Sequence, residues 1–323
     1  MSVVEVPPTG VGSSEQALSR QEVRERCVSI MELLLPHRRA ADLDTDIPAT
    51  AFDEQLRQLA AFVSTGEPIL FTLPGFPCKS PNPAKVLGHL PDEGERLSLR
   101  FLDQLCVAVK DVYEPGARML ICSDGHVFAD LISVPDEHVD AYSDELVAMI
   151  AKEELSHLGT FDLRDVYGDM SYQDKRTRLA DGYHATEDDL RAETLTNPDT
   201  MRLYLGITRF LVDDTAEFSG TKSALQRQCR ARAYGVIQRS RAWGELIARR
   251  FPRQVRLSIH PQPRGSIKFG IRLLQIKDVW TTPWHSAVLK HGDGEWELMR
   301  KTDAERHGRL VLHDGRPSHF EAA

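Results

Sequence analysis

The chain has 323 residues, of which 41% are hydrophobic and 27% charged, as expected for a folded protein of one large domain or two modest ones. No apolar run is long enough to cross a membrane, and the first residues lack the charged start and apolar core of a secretory signal. The formal net charge of -8 argues against duplex nucleic acid as a partner, because phosphate backbones are bound by a surplus of Lys and Arg. Five scattered cysteines without a CxxC pair indicate neither a disulfide framework nor a thiolate zinc site, so we expect a cytoplasmic setting.

Apolar spacing predicts that helices and buried strands alternate along the first half of the chain. Helical spacing is found at residues 20–36, 52–64, 95–113 and 135–152. Short apolar runs predict strands at 68–73, 118–122 and 158–163. A strand, loop, helix and strand in this order are typical of a βαβ crossover, which predicts a parallel sheet.

The second half of the chain changes character. Residues 198–250 are mostly helical and become basic from Lys222, where a phosphate-binding face competes with the commoner interpretation of a solvated helix surface. Apolar and polar residues then alternate at 255–260 and 267–273, which predicts two strands. Further strands are predicted at 287–290, 296–300 and 309–312. The predicted fold class is therefore α/β, with a mixed-strand region at the C-terminal end.

The loop after the first buried strand carries side chains suited to an anion. Loops at the carboxyl ends of parallel strands are where α/β sheets bind ligands. Ammonium, hydroxyl and amide groups that fit a phosphate or a carboxylate stand at Lys79, Ser80, Asn82 and Lys85. A surface turn whose lysines point to water explains the same residues equally well.

A carboxylate follows the second predicted strand. Ser123, Asp124 and Gly125 come directly after it, and Asp124 is suited to orient an amine or to act as a base. The alternative is a simple Asp-Gly turn that leads into a further strand from Val127.

A third set of polar residues lies on the predicted strand at 255–260. Alternation places Arg256, Ser258 and His260 on one face, with Lys268 on the next strand. A cationic pocket that contains a histidine suits a phosphorylated substrate and proton transfer near neutral pH. A solvent-exposed sheet face is equally compatible with this pattern.

The segment Thr282-Pro-Trp-His285 combines a rigid aromatic wall with a histidine. Trp284 could cup a ring of the ligand, although a packing corner in the core is the commoner explanation for a Trp-Pro pair. His138-Val-Asp140 matches the His-x-Asp of iron-dependent oxygenases, but its helical surroundings disfavour that interpretation. No P-loop, dinucleotide fingerprint or nucleophile elbow is present.

These segments together resemble a known enzyme family. The matching strings, in order, are LPGFPCKSPN at 73–82, LGHLPD at 87–92, SDGHVFAD at 123–130, RLSIHP at 256–261 and TPWH at 282–285. Over roughly residues 65–290 the chain resembles the isonitrile synthases, also called the pyoverdine/dityrosine biosynthesis family. Cys78 departs from the resemblance, because a small residue such as Ala is expected at its position.

The resemblance implies a reaction. Members of the family condense the amino group of tyrosine or tryptophan with C2 of ribulose 5-phosphate, and cleavage of sugar carbon–carbon bonds then leaves one carbon on nitrogen as the isonitrile. We expect tyrosine rather than tryptophan, no metal and no redox cofactor, and an iron/2-oxoglutarate oxygenase as the next enzyme in the pathway. The resemblance also implies a Rossmann-like domain with N-terminal helices at 19–200. A mobile tail at 1–18 would precede it, and a helical segment with C-terminal strands at 201–323 would complete the catalytic unit.

Residue roles follow as expectations from the same resemblance. We expect anion clamps, proton carriers and an aromatic contact. The side chains expected to bind the phosphate and the carboxylate are Lys79 and Lys85 with Arg256 or Lys268. Those expected to transfer protons are His260, His285 and Asp124. Trp284 is expected to stack on the amino acid ring, and Ser80, Asn82 and Ser123 complete the substrate-binding set. An N-formylating enzyme of the same family, a non-catalytic ligand-binding relative and an iron-dependent oxygenase remain as alternatives.

Overall fold

A computed structural model describes residues 18–41, 47–183, 185–274 and 281–322, so the expected tail lies, apart from Leu18, outside the described residues. The α-helices are α1 Arg20–Leu34, α2 Asp53–Val63, α3 Glu93–Val112, α4 Gly125–Phe128, α5 Asp136–Lys152, α6 Leu163–Tyr167, α7 Tyr172–Tyr183, α8 Glu187–Thr196, α9 Pro198–Asp214, α10 Lys222–Arg250 and α11 Lys301–His307. The strands are β1 Ile69–Pro74, β2 Ala117–Cys122, β3 Leu158–Phe161, β4 Val255–Ser258, β5 Phe269–Gly270, β6 Ala287–Lys290, β7 Trp296–Met299, β8 Gly308–His313 and β9 Arg316–Ala322. None of the described helices is both long and apolar enough to span a bilayer.

A five-stranded parallel sheet organises the fold, in the order β3-β2-β1-β4-β5. The predicted βαβ crossover is confirmed, since β1 and β2 pair in parallel on either side of α3 in the chain. The strands form here because their apolar side chains are buried: Ile69, Phe71 and Leu73 are all fully enclosed. The chain first adds β2 and β3 on one side of β1 and later adds β4 on the other. The position where the strand order reverses, between β1 and β4, is called the switch point. The loops that follow these two strands diverge there, so a ligand crevice is expected at the carboxyl ends of β1 and β4.

A second, four-stranded sheet of order β7-β6-β9-β8 contains both parallel and antiparallel pairs. It confirms the expected mixed-strand region, although β9 was not predicted. The boundary expected at residue 200 lies within α9, and β4 and β5 join the same sheet as β1. The division of the chain into parts therefore stays a prediction, while the main sheet draws strands from both sides of that boundary.

Two local predictions differ from the structure, and a third is supported by it. The strand considered from Val127 is wrong, because the chain forms α4 there and continues through turns. The strand predicted at 267–273 shortens to the two residues of β5. On the basic helix α10, Arg239 and Arg241 form ion pairs with Asp130 and Glu193, which supports the solvated-surface interpretation of that stretch.

One glycine brings two of the functional loops together. Gly125 opens α4, and a Cβ at this position would lie 2.0 Å from the carbonyl oxygen of Pro77 and 2.6 Å from Cγ1 of Val139. The loop after β1 and the loop after β2 therefore pack closer than any side chain allows.

Gly125→Ala is expected to lower the free energy of unfolding by about 3 kcal/mol, because the added methyl group overlaps backbone that cannot move aside. Gly206→Ala in α9 is the matched control, since nothing lies within 4 Å of its Cβ position. An exposed helical glycine replaced by alanine should gain about 1 kcal/mol. Urea denaturation of the two variants measures both values, and equal stability of Gly125→Ala and the parent protein would contradict the contact.

Candidate functional site

Lys79 is enclosed rather than open to a ligand. Its Nζ donates hydrogen bonds to Asp92 Oδ2 and Glu95 Oε2, both at 2.7 Å, and to the carbonyl oxygen of Pro283 at 3.0 Å. The side chain has no solvent exposure, so all three N–H groups are used within the protein. This corrects the expectation that Lys79 clamps a substrate anion. Its ammonium instead fixes the loop after β1 to the first turn of α3 and to the segment before His285.

The carboxylates around Lys79 share a single cation. Burial raises the pKa of Asp92 to about 7 even though Lys79 acts in the opposite direction. Tyr142 also donates a hydrogen bond to Glu95 Oε1 at 3.2 Å. The group is therefore a buried polar network, and its hydrogen bonds hold the loop after β1 in position.

Asp214, the last residue of α9, gathers three of the predicted site residues. Ser80 Oγ and Lys85 Nζ donate hydrogen bonds to its Oδ1 at 2.9 and 2.6 Å, and His285 Nε2 lies 3.3 Å from its Oδ2. Burial alone would raise the pKa of this carboxyl group, but His285 and Lys85 outweigh it and leave the pKa below its ordinary value. Asp214 is thus a buried carboxylate that holds a lysine and a histidine at one corner of the site.

His285 is partly exposed to solvent, as is Lys85, whereas Asp214 is enclosed. The Nδ1 of His285 lies 3.0 Å from Thr282 Oγ1, and its ring meets the ring of Phe210 edge-on at 4.9 Å between centroids. Lys85 Nζ lies over the same Phe210 ring at 5.7 Å. Because Phe210 precedes Asp214 by one helical turn, α9 presents both side chains to the corner.

Three other predicted residues support the loops instead of facing the crevice. Asn82 Nδ2 donates to the backbone oxygen of Asp213 at 2.9 Å, and Ser123 Oγ donates to that of Phe76 at 2.9 Å. The ring of Trp284 is buried in the core against Phe76, at 5.0 Å between ring centroids. The expected stacking of Trp284 on a substrate is therefore wrong for this structure, since no face of the indole is free.

Arg256 and Lys268 form a second group, which we call the cationic strip. It lies near the corner formed by Lys85, Asp214 and His285. Lys268 stands level with Arg256, because β5 pairs with β4 through Leu257 and Phe269. The charges of Arg256 and Lys268 influence each other, and Lys268 also interacts with Asp124 at the end of β2. The strip therefore lies at the β1–β4 switch point.

Asp124 faces this strip with an unsatisfied oxygen. Its Oδ1 is buried and accepts no hydrogen bond from any residue that the structure describes. Burial raises the pKa of Asp124 to about 7, and the nearby charge of Lys268 offsets only part of this rise. A buried polar atom without a partner is costly, which points to a functional rather than a structural role.

His260 connects the strip to the corner. It follows β4, and its ring is exposed to solvent although protein surrounds it on most sides, as for a side chain that lines a concave surface. This enclosure lowers the pKa of His260, and the charges of Arg39, Lys268 and His285 lower it further. The imidazole is therefore neutral near pH 7.

Hydrogen bonds, ion pairs and electrostatic interactions link seven of the predicted residues to one another, and the expected crevice is assigned to this group: Ser80, Lys85, Asp124, Arg256, His260, Lys268 and His285. Asp214 and Phe210 were missed by the sequence analysis, because no local pattern links the end of a helix to a loop 134 residues away. Within the ranges that the structure describes, no group of three or more His, Cys, Asp or Glu side chains is arranged to hold a metal ion. His138 and Asp140 lie on α5, where His138 stacks on His89.

A family model, curated proteins and a solved structure all relate the chain to the same family. Residues 59–311 match the family model described as "Pyoverdine/dityrosine biosynthesis protein". The chain is similar to an L-tyrosine isonitrile synthase of Pseudomonas aeruginosa, with 45% identity over 303 residues that cover 90% of this chain and 92% of that protein. It is also similar to an L-tryptophan isonitrile synthase of Fischerella ambigua, with 42% identity over 268 residues that cover 82% of this chain and 81% of that protein. The crystal structure of PvcA from Pseudomonas aeruginosa superposes with a TM-score of 0.84 at 42% identity and covers 92% of this chain and 99% of that one.

Asp124 should make the stability of the protein depend on pH in a defined direction. Its pKa is about 7 in the folded protein and about 4 in an unfolded chain, so its favourable contribution is complete below about pH 4 and is lost as the pH rises through 7. The unfolding free energy of the parent protein minus that of Asp124→Asn is therefore expected to fall between these pH values and then to level off.

Urea denaturation across this pH range measures the difference. Asp111→Asn on α3 is the control, because the Asp111 side chain is exposed and its surroundings change little on folding. A difference for Asp124→Asn that is flat or rises with pH would contradict the enclosed position of the carboxyl group.

Proposed function

Since the chain belongs to the pyoverdine/dityrosine biosynthesis family of isonitrile synthases, we propose that it condenses the amino group of an aromatic L-amino acid with C2 of ribulose 5-phosphate. Cleavage of sugar carbon–carbon bonds then leaves one carbon on nitrogen as the isonitrile. The reaction is of the carbon–carbon lyase type, and we propose that it needs no metal. Tyrosine is the favoured amino acid, because the relatives in Pseudomonas aeruginosa and Xenorhabdus nematophila, at 45% and 43% identity, are both named L-tyrosine isonitrile synthase.

One observation carries this proposal: a cationic strip and a carboxylate-held histidine meet in one crevice of a protein whose net charge is -8. The two proposed reactants are both anionic, one through its phosphate and the other through its carboxylate. Positive groups that converge at a switch point concentrate such reactants and orient them for reaction.

Arg256 is the proposed partner of the phosphate. Its guanidinium is half-buried, and the hydrogen bond from its Nη2 to the carbonyl oxygen of Gly244 is long at 3.5 Å. A guanidinium stays charged even where burial lowers its pKa, as it does here. A charge-assisted hydrogen bond of this kind contributes about 1.5–3 kcal/mol.

The corner around Asp214 is the proposed place of the amino acid. Lys85 keeps part of its ammonium exposed and can meet the carboxylate of the substrate, while His285 can take a proton from its ammonium group. With Trp284 enclosed in the core, Phe210 supplies the aromatic surface for the substrate ring. Offset or edge-on contacts between such rings contribute about 0.5–1.5 kcal/mol.

We propose that the protein acts in the cytoplasm, one step ahead of an oxidising enzyme. All five cysteines are free and buried, which supports a reducing cytoplasm as the compartment. The product would next be oxidised by an iron/2-oxoglutarate oxygenase, as the family resemblance implies.

The direct test is incubation of the purified protein with ribulose 5-phosphate and either tyrosine or tryptophan. We expect an isonitrile that a tetrazine traps, with tyrosine consumed faster than tryptophan. Mass spectrometry separates this product from a formamide, which is one water heavier and would favour the N-formylating alternative. Reactants that remain unchanged would favour a non-catalytic relative, and turnover that requires added iron would favour an oxygenase.

Asp214→Asn is expected to lower kcat by about a hundredfold, because it removes the negative charge that orients His285 for proton transfer. The affinity for ribulose 5-phosphate should change little, since that reactant is proposed to bind at Arg256. Asp213→Asn is the matched control: its side chain is exposed at the neighbouring position, and only its backbone oxygen contacts the site loop. Steady-state kinetics across a pH series measure the effect, and equal turnover of the two variants would remove Asp214 from the mechanism.

A further inference from the structure

The three lysines predicted for the site differ in what their ammonium groups contact. Lys79 donates to two carboxylates and a carbonyl group, and Lys85 is paired with Asp214. Lys268 Nζ forms no hydrogen bond or ion pair with any residue that the structure describes, although its backbone N–H donates to Ser266 Oγ. Lys268 is therefore the lysine whose amine is available to react.

The position of Lys268 directs this amine towards the place of the sugar. Val255 and Leu257 are fully buried on one face of β4, so Arg256 lies on the opposite face. Lys268 directly precedes β5, and extending the Leu257–Phe269 register by one residue sets it beside Arg256, with which its charge interacts. A phosphate on Arg256 therefore places the carbon chain of the sugar next to the Lys268 amine.

The surroundings of Lys268 also suit a nucleophile. Burial lowers the pKa of Lys268, and the adjacent charge of Arg256 lowers it further, while Asp124 acts in the opposite direction. A larger share of the amine is neutral as a result, as in lysines that form imines. Asp124 keeps a proton near neutral pH and can deliver it to a departing oxygen.

We propose that Lys268 forms a covalent imine with C2 of the ketose phosphate before the amino acid reacts, an inference that rests on the proposed function. The Lys268 amine adds to the C2 carbonyl to give a carbinolamine. Nζ loses two protons in all, and the C2 oxygen takes up two and leaves as water, with Asp124 as the donor. No oxidant or reductant takes part.

The amino acid then enters by exchange. Its neutral amine adds to C2 of the imine, and two protons pass in all from the incoming nitrogen to Nζ, one on addition and one as the C2–Nζ bond breaks, so that Lys268 leaves as a free amine. The product is the imine that direct condensation would give. The advantage is electrophilic activation, because a protonated imine accepts an amine more readily than a ketone does.

Borohydride trapping tests the covalent step. The protein is incubated with ribulose 5-phosphate and sodium borohydride without amino acid, and its intact mass and peptide map are measured. We expect a reduced adduct of the sugar phosphate on Lys268. Lys268→Arg should form no adduct and should make isonitrile at least about a hundredfold more slowly. The control Lys290→Arg, on β6 outside the crevice, should behave as the parent protein does.

Oxygen exchange separates a chemical role from an electrostatic one. In heavy-oxygen water without amino acid, reversible imine formation replaces the C2 oxygen of ribulose 5-phosphate with the label. We expect this exchange from the parent protein and not from Lys268→Arg. The KM for ribulose 5-phosphate should change little in the variant, because arginine retains the positive charge.

The outcomes separate this inference from the proposed function. Isonitrile formation without adduct or exchange, or with full turnover in Lys268→Arg, rejects the imine and leaves the proposed function in place. An adduct on Lys268 without any isonitrile supports the imine and rejects the condensation with an amino acid. Failure to form adduct, exchange product or isonitrile rejects both.

Discussion

The buried ammonium of Lys79 holds the functional loop in place, and the geometry of the crevice depends on it. It ties the loop after β1 to Asp92, which caps α3, to Glu95 in the first turn of that helix, and to Pro283, two residues before His285. Loss of one partner of such a group leaves an uncompensated buried charge, which costs about 3–5 kcal/mol. The network therefore sets the distance between the loop and His285.

Some cationic side chains of the protein are paired with carboxylates and others are not, and the unpaired ones give the site its positive charge. Three arginines of α10, Arg239, Arg241 and Arg249, form ion pairs with Asp130, Glu193 and Glu245. Arg256 and Lys268 have no such carboxylate paired with them in the described parts of the chain. An acidic protein thus keeps a small set of uncompensated cations in one crevice, where low solvent access makes each of them more effective.

The sequence predicted the scaffold better than the roles of its side chains. The strands β1 and β2 and the helix α3 were predicted because apolar spacing is a local property that burial imposes directly. The roles of Lys79 and Trp284 were predicted wrongly, since a sequence does not tell whether an ammonium meets water or carboxylates, or whether an indole faces a ligand or the core. Asp214 could not be predicted at all, because its partners reach it only through tertiary structure.

The pairing of β1 with β4 has a consequence for how the protein is made. Thr72 in β1 pairs with Arg256 in β4, so this part of the sheet forms only after synthesis has reached β4, more than 180 residues after β1. Contacts between such distant segments are slow to form, because a long loop must close before they contribute any free energy. Until then one edge of β1 has no partner strand in the nascent chain. The partly formed sheet is therefore the folding intermediate that is most prone to aggregate.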